Sequence, residues 1–301
     1  MSRSTRWFLL FLVILAILAV GSSWLFFSMI GGSSGDIETV STGMGGQVAV
    51  VELKGVILES ETVVRQLKRY RDEGRVKAVL LRVDSPGGGV VASQEIYEEV
   101  RKTRDGGMPV VVSMGSIAAS GGYYVACGAT RIVANRGTLT GSIGVISEFM
   151  EFKDALSKLG IDVNTVKAGR LKDAGSPMRK MTDTDRAYFQ QLMDDVHRQF
   201  IGVVEDERGL TRDEAVELSD GRVFTGEQAL DLGLVDTLGT YEDAIAIAAE
   251  LGGIEGEPSI VRERKRRSIM DRWFGDVGET LAGVRRELLD APVVSYRMAR
   301  P

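Results

Sequence analysis

The chain has 301 residues, 44% of them hydrophobic, and a formal net charge of −5. That length suffices for one large domain, and the acidic balance argues against nucleic acid as a main partner. With one cysteine, Cys127, and one histidine, His197, the composition excludes an intrachain disulfide and a His/Cys zinc cluster.

Residues 7–30 form a nearly continuous apolar run, broken only by Gly21-Ser22-Ser23. As a helix this run would rise roughly 36 Å, enough to cross a bilayer. Arg3 and Arg6 precede it, and Asp36 and Glu38 follow it. The pattern predicts a cytoplasmic N-terminus (1–6), a transmembrane anchor (7–30) and a main domain on the outer side. Ala19-Val20-Gly21 offers a signal-peptidase site as the alternative, but cleavage there would leave the apolar stretch Trp24 to Ile30 exposed. Residues 31–46 are rich in Gly and Ser and predict a flexible tether.

Gln47 to Ile57 predicts a strand ending at Gly55, and Ser60 to Gly74 an amphipathic helix. Ala78 to Val83 predicts a second strand, Asp84-Ser-Pro-Gly-Gly-Gly89 a turn, Val90 to Arg104 a helix and Met108 to Met114 a third strand. Short strands are expected at Arg131 to Ala134, Ser142 to Ile146 and Asp162 to Val166, with a helix from Phe152 to Leu159. Such alternation implies a largely parallel sheet flanked by helices. From Thr182 the pattern turns helical, through a long apolar stripe from Tyr188 to Val203 and further helices after Thr211, Thr225 and Thr240. The domain is expected to span 47–252. A tail of 253–301 follows, and its basic run Arg262 to Arg267 reads as a solvated face or a membrane contact.

The chemistry concentrates between Val110 and Val145. A β-branched run, Val110 to Val112, breaks into small residues that lead to Ser120-Gly-Gly and an uncharged apolar helix, Tyr123 to Ala129. Ser120 sits where the turn becomes the helix, beside free N–H groups that can stabilise negative charge. A lone Ser-Gly-Gly is more often plain packing. His197 lies in the long helical stripe, where a flank residue is the ordinary reading, so a nucleophilic serine here would need a lysine base. Lysine ordinarily titrates near 10.4, and a base acting near neutrality needs a shift of roughly 3 units, or about 4 kcal/mol. The residues alone leave Lys153, Lys158, Lys167, Lys172 and Lys180 open.

Four ordered motifs narrow this: Asp84-Ser-Pro-Gly-Gly-Gly89, Gly115-Ser-Ile-Ala-Ala-Ser-Gly-Gly-Tyr-Tyr124, Thr140-Gly-Ser-Ile-Gly-Val145 and Gly169-Arg-Leu-Lys-Asp173. In order and spacing they resemble the signal peptide peptidase A family of membrane-bound serine peptidases, in its short, single-unit form. The likeness covers roughly Gln47 to Leu251. It implies an α/β fold of the Clp-protease/crotonase type, built from repeated ββα units. It further implies a Ser-Lys dyad with Ser120 as nucleophile and Lys172 as general base. Lys167 falls at the wrong place in the motif and is expected to be structural or exposed. The N–H groups of Gly88 and Gly121 would form the oxyanion hole, and Ser142 would orient Lys172. No cofactor or metal is implied. The expected activity is an endopeptidase that cuts remnant signal peptides at the outer face of the cell membrane. The expected assembly is a homo-oligomeric ring in which the lysine loop reaches a neighbour's serine. Other readings are a related membrane serine peptidase with another membrane-protein substrate, a crotonase-like acyl-CoA enzyme, and an inactive oligomeric scaffold.

Overall fold

A computed structural model describes Trp7, residues 37–41, 43 and 45–263, and the backbone of 295–297. Residues 37–263 and 295–297 belong to one unit. The expected membrane anchor, Trp7 apart, and the basic run beyond Glu263 lie outside the described residues. Among the described residues no helix is long and apolar enough to cross a membrane.

The protein is a mixed α/β structure. Its strands are β1 (Ile37–Ser41), β2 (Gln47–Lys54), β3 (Val76–Ser85), β4 (Gly87–Gly89), β5 (Val110–Ala119), β6 (Arg131–Ala134), β7 (Leu139–Gly141), β8 (Val223–Thr225), β9 (Thr237–Leu238), β10 (Ser259–Glu263) and β11 (Ser295–Arg297). Its helices are α1 (Glu61–Asp72), α2 (Val90–Asp105), α3 (Gly121–Cys127), α4 (Lys153–Lys158), α5 (Asp183–Arg208), α6 (Arg212–Glu217), α7 (Gly226–Asp231) and α8 (Tyr241–Leu251). The main sheet runs β1-β10-β2-β3-β5-β6-β9, with β7 continuing from β5 to β8. From β10 to β9 its pairings are parallel, and β1 closes one edge antiparallel to β10.

The near-continuous apolar strands β2, β3 and β5 are what a sheet covered on both faces requires. Alternation sends Val79, Leu81, Val110 and Val112 into one core, and Val48, Leu80 and Val111 into a second core beneath α8. The larger core takes in α1, α2 and α3, and the C-terminal half of α5 docks on it. Tyr124 stands at the centre of an aromatic stack, edge-on to Tyr97 at 5.2 Å and to Phe200 at 4.9 Å. Charged clasps hold α5 in place. Arg104 Nη1 meets Glu207 at 2.7 Å, and Arg208 Nη2 meets Asp236 at 2.7 Å while its Nε donates to the Gly233 carbonyl. Helices α5, α6, α7 and α8 each begin with a capping box, at Thr182, Thr211, Thr225 and Thr240.

Several expectations are corrected. The flexible tether of 31–46 contains β1, because Ile37–Ser41 finds a ladder on β10. The tail after 252 supplies β10, which joins β2 in parallel; its residues carry a β-branched pair, Ile260-Val261, whose partner strand is remote in sequence. The turn 84–89 is partly strand: Asp84 and Ser85 extend β3, and Gly87–Gly89 form β4. The strand expected at 142–146 lies earlier, at β7, where Leu139–Gly141 pairs Ile117–Ala119. Asp162 to Val166 forms no strand, since no strand of the described residues lies alongside to complete its ladder, and Val163 and Val166 stand exposed.

Phe200 is fully buried and joins α5 to the aromatic stack. Phe200→Ala should lower the unfolding free energy by about 3–5 kcal/mol, read as a shift of the urea midpoint.

Candidate active site

Strand β5 is the rail that delivers the central residue. Beyond Ser113 it leaves β6 and pairs instead with β7, and it ends at Ala119. Ser120 then turns the chain with φ 52° and ψ −116°. A positive φ is rare for a non-glycine residue and costs about 1–3 kcal/mol, so it persists only where its surroundings over-determine it. Here the Ser120 N–H donates to the Gly141 carbonyl at 2.7 Å, and the Ser120 carbonyl accepts from the Tyr124 N–H at 2.8 Å. Thr140 Oγ1 ties β7 to the Ala118 carbonyl at 2.7 Å. The Ser120 hydroxyl is buried and makes no hydrogen bond among the described residues.

Close approach dictates the glycines around it. A Cβ on Gly122 would stand 2.9 Å from the Ser85 carbonyl oxygen. A Cβ on Gly88 would stand 2.1 Å from the Ile57 carbonyl oxygen and 2.5 Å from its nitrogen. The backbone of Ile57 uses Gly87 and Gly89: its N–H donates to the Gly87 carbonyl at 2.9 Å, and its carbonyl accepts from the Gly89 N–H at 2.7 Å. Because successive peptide groups of a strand point to opposite edges, the N–H of Gly88 faces the other side. On that side lies β11, antiparallel, with Tyr296 opposite Gly88. The β4 edge thus accepts an extended chain beside α3, which begins one residue after Ser120.

Ser142 repeats the left-handed backbone, with φ 50°. It is buried, its N–H donates to the Arg222 carbonyl at 2.8 Å, and it follows the residue whose carbonyl holds Ser120. The structure therefore brings Ser120, Gly121 and Ser142 together at the end of β5 and sets Gly88 beside α3.

Lys172 is elsewhere in kind. It lies in a series of turns, its N–H donating to the Gly169 carbonyl at 3.2 Å, and its side chain is exposed. It makes no hydrogen bond to Ser120 Oγ in the single chain. Lys167, by contrast, is engaged: its amine pairs with Asp173 and donates to the Arg170 carbonyl. Sequence reasoning missed Ser85, whose hydroxyl accepts the Gly87 N–H at 3.1 Å, and Arg179, which grips Asp173. Ser85 belonged to a recognised motif; for Arg179 the linear sequence carried no signal.

The other reactive groups near α3 are silent. Burial pushes the Cys127 thiol up to about 12, and Tyr123, also raised by burial, donates its hydroxyl to the Leu234 carbonyl at 2.9 Å. His197 Nε2 is buried without a partner among the described residues and so makes no hydrogen bond to Ser120. Among the described residues no cluster could hold a metal ion.

A buried serine thus stands on a strained strand-to-helix turn, beside a glycine strand whose outer edge pairs with an extended segment. The sequence matches the model of peptidase family S49 over residues 102–255, about half of the chain. The chain belongs to that family. The matched stretch holds Ser120, Gly121, Ser142 and Lys172 but not Gly88. A Synechocystis sp. protein provisionally named protease slr0021 is 43% identical over 211 residues, covering 69% of this chain and 76% of its own. An Enterococcus faecium protein provisionally named signal peptide peptidase SppA is 39% identical over 185 residues, covering 62% of this chain. This chain spans 54% of that relative's length. Among solved structures, a point mutant of ClpP1 from Listeria monocytogenes is similar with a TM-score of 0.46 and 15% identity, covering 65% of this chain and 94% of that one.

Gly88→Ala should displace β4 from Ile57. Peptide hydrolysis should fall by about 10²-fold or more, while circular dichroism shows the fold retained.

Proposed function

We propose that this protein is a membrane-anchored serine endopeptidase in which Ser120 attacks the scissile carbonyl, Lys172 is the general base, and the N–H groups of Gly88 and Gly121 receive the oxyanion. Its substrates are remnant signal peptides, and the fold is of the Clp-protease/crotonase type. The observation that carries this reading is the β4 edge. It already accepts an antiparallel strand of the chain's own tail beside the turn that holds Ser120. A substrate lying there would present its backbone to Gly88 and its carbonyl to the serine.

In the reaction, the hydroxyl proton of Ser120 passes to the neutral amine of Lys172 as Oγ bonds to the carbonyl carbon. The developing oxyanion is held by two backbone donors. Collapse expels the amine leaving group, which takes the proton from Lys172, and leaves an acyl-serine. Water then attacks by the same proton route and releases the carboxylate. Ser142, buried beside the turn, would accept from or donate to the lysine amine.

We place the lysine and serine of one site in different protomers of a closed ring. Two observations support this. Ser120 Oγ is buried without a partner among the described residues while Lys172 is exposed in the same chain. The segment leading to Lys172 exposes Met150, Phe152, Leu159, Ile161, Val163 and Val166, an apolar surface of the kind that marks an interface. Such a ring would also exclude folded proteins and admit extended chains. The location at the outer face of the cell membrane is supported by the apolar run 7–30 and the arginines before it. Freed signal peptides are themselves apolar and stay near the bilayer.

Ser120→Ala and Lys172→Ala should each abolish cleavage and leave the fold intact, and Ser120→Ala should also abolish labelling by a fluorophosphonate. Mixing the two variants under conditions that exchange subunits should restore activity, because some sites then combine an intact serine with an intact lysine. Restoration failing despite proven exchange would put both groups in one chain.

Protease added to intact spheroplasts should digest the main domain. Protection until lysis would reverse the orientation.

A further inference from the structure

Among the described residues no strand pairs with the loop that bears Lys172. Gly175, at φ +73°, packs on an aromatic pair, Phe149 and Phe189, whose rings lie 4.4 Å apart. The rest of the bracing is ionic and centres on Arg179. Its Nε donates to Asp173 Oδ2 at 2.9 Å. Its Nη2 donates to Asp173 Oδ1 at 3.1 Å and to the Asp173 carbonyl at 3.0 Å. Its Nη1 donates to Asp185 Oδ2. From the other side, Lys167 pairs with Asp173. Asp185 is fixed in turn, since it accepts the Thr182 N–H at 3.0 Å within the capping box of α5. One planar guanidinium therefore ties the residue next to Lys172 to a helix terminus, a bidentate geometry that lysine cannot reproduce.

Asp173 is covalently adjacent to Lys172. Released from the Arg179 fork and held by the Lys167 amine alone, its carboxylate is freer to turn toward the adjacent lysine, where a nearby anion favours the ammonium, the form unable to accept a proton. We infer that Arg179 is a positioning residue for Lys172: it fixes the loop and keeps the Asp173 carboxylate engaged away from the Lys172 amine. The inference rests on the reading of Lys172 as the base.

Two carboxylates, Asp173 and Asp185, meet two cations, Arg179 and Lys167, so the cluster balances its own charge. Arg179, and then Lys167, hold the Asp173 carboxyl down at about 2. Arg179, and then the Thr182 backbone, hold Asp185 well below the usual carboxylate range. Both stay anionic wherever a lysine base titrates, so their own protonation does not shape the activity profile there. The other charges of the loop and of α4 are Asp162, Arg170, Lys153, Lys158, Lys180 and Asp154, the last two an exposed pair at 3.7 Å.

The test is the pH dependence of kcat/KM for a quenched fluorescent peptide, measured on the full chain. Arg179→Gln should move the midpoint of the acid limb up by about 1 pH unit and lower kcat more than it changes KM. Adding Asp173→Asn to that variant should bring the midpoint back to the wild-type value or below, while kcat stays low. Arg179→Lys should move the midpoint less than Arg179→Gln, because two cations, the new amine and Lys167, still face Asp173. A fall in activity with an unmoved midpoint in Arg179→Gln would make the clamp a brace only and overturn the inference. So would a double variant that stays shifted. Should Arg179→Gln fail to fold, Asp173→Asn alone decides, since the inference forbids any upward shift in it. Activity retained by Lys172→Ala in the same assay would instead remove the assignment of the base, a separate failure.

Discussion

The conformation of Ser120 is the constraint on which the rest of the site depends. A serine with φ 52° is held only because three features converge on it. Strand β7 presents the Gly141 carbonyl to its N–H, the helix α3 takes its carbonyl at once, and the end of β3 packs on Gly122. None of these would be in register without β5, which lies between β3 on one side and β6 then β7 on the other. Both faces of that strand are buried, so a one-residue slip would exchange its two cores. The strain at the turn is thus set against the packing of the whole sheet, which is how a rigid element can hold a reactive group to a fraction of an ångström.

Beside that sheet, strand β4 offers an edge to an extended backbone. Ile57 consumes the polar groups of Gly87 and Gly89, which fixes the direction of Gly88. A side chain at position 88 has no room, because the Ile57 backbone lies where its Cβ would be. The pairing of 295–297 with this edge shows that it accepts an extended backbone. Main-chain recognition of that sort is tolerant of sequence, which suits a peptidase.

Two kinds of bracing divide the candidate site. The serine, the glycines and Ser142 are set by the hydrophobic sheet and its hydrogen bonds. The lysine loop is set by an aromatic pair and by Arg179 between two carboxylates, with the Lys172 side chain exposed.

The sequence by itself determined most elements. Runs of Val, Ile and Leu with helical spacing between them specify β2, β3, β5 and the helices after them, because period and apolar content are local properties. Threonine followed three residues on by Asp, Glu or Gln marked the helix starts, since a cap is made within one turn. The motif around Ser120 was legible, and so was the glycine run at 87–89. Pairing was not legible. Ile37–Ser41 and Ser259–Glu263 are strands because they find each other and β2, and Asp162 to Val166 is not one because it finds no partner among the described residues. A ladder needs two segments distant in sequence, so propensity at either one cannot decide it. The positive φ of Ser120 and Ser142, and the grip of Arg179 on Asp173 and Asp185, were likewise decided only by the tertiary structure, because each depends on groups that folding alone brings within hydrogen-bond distance.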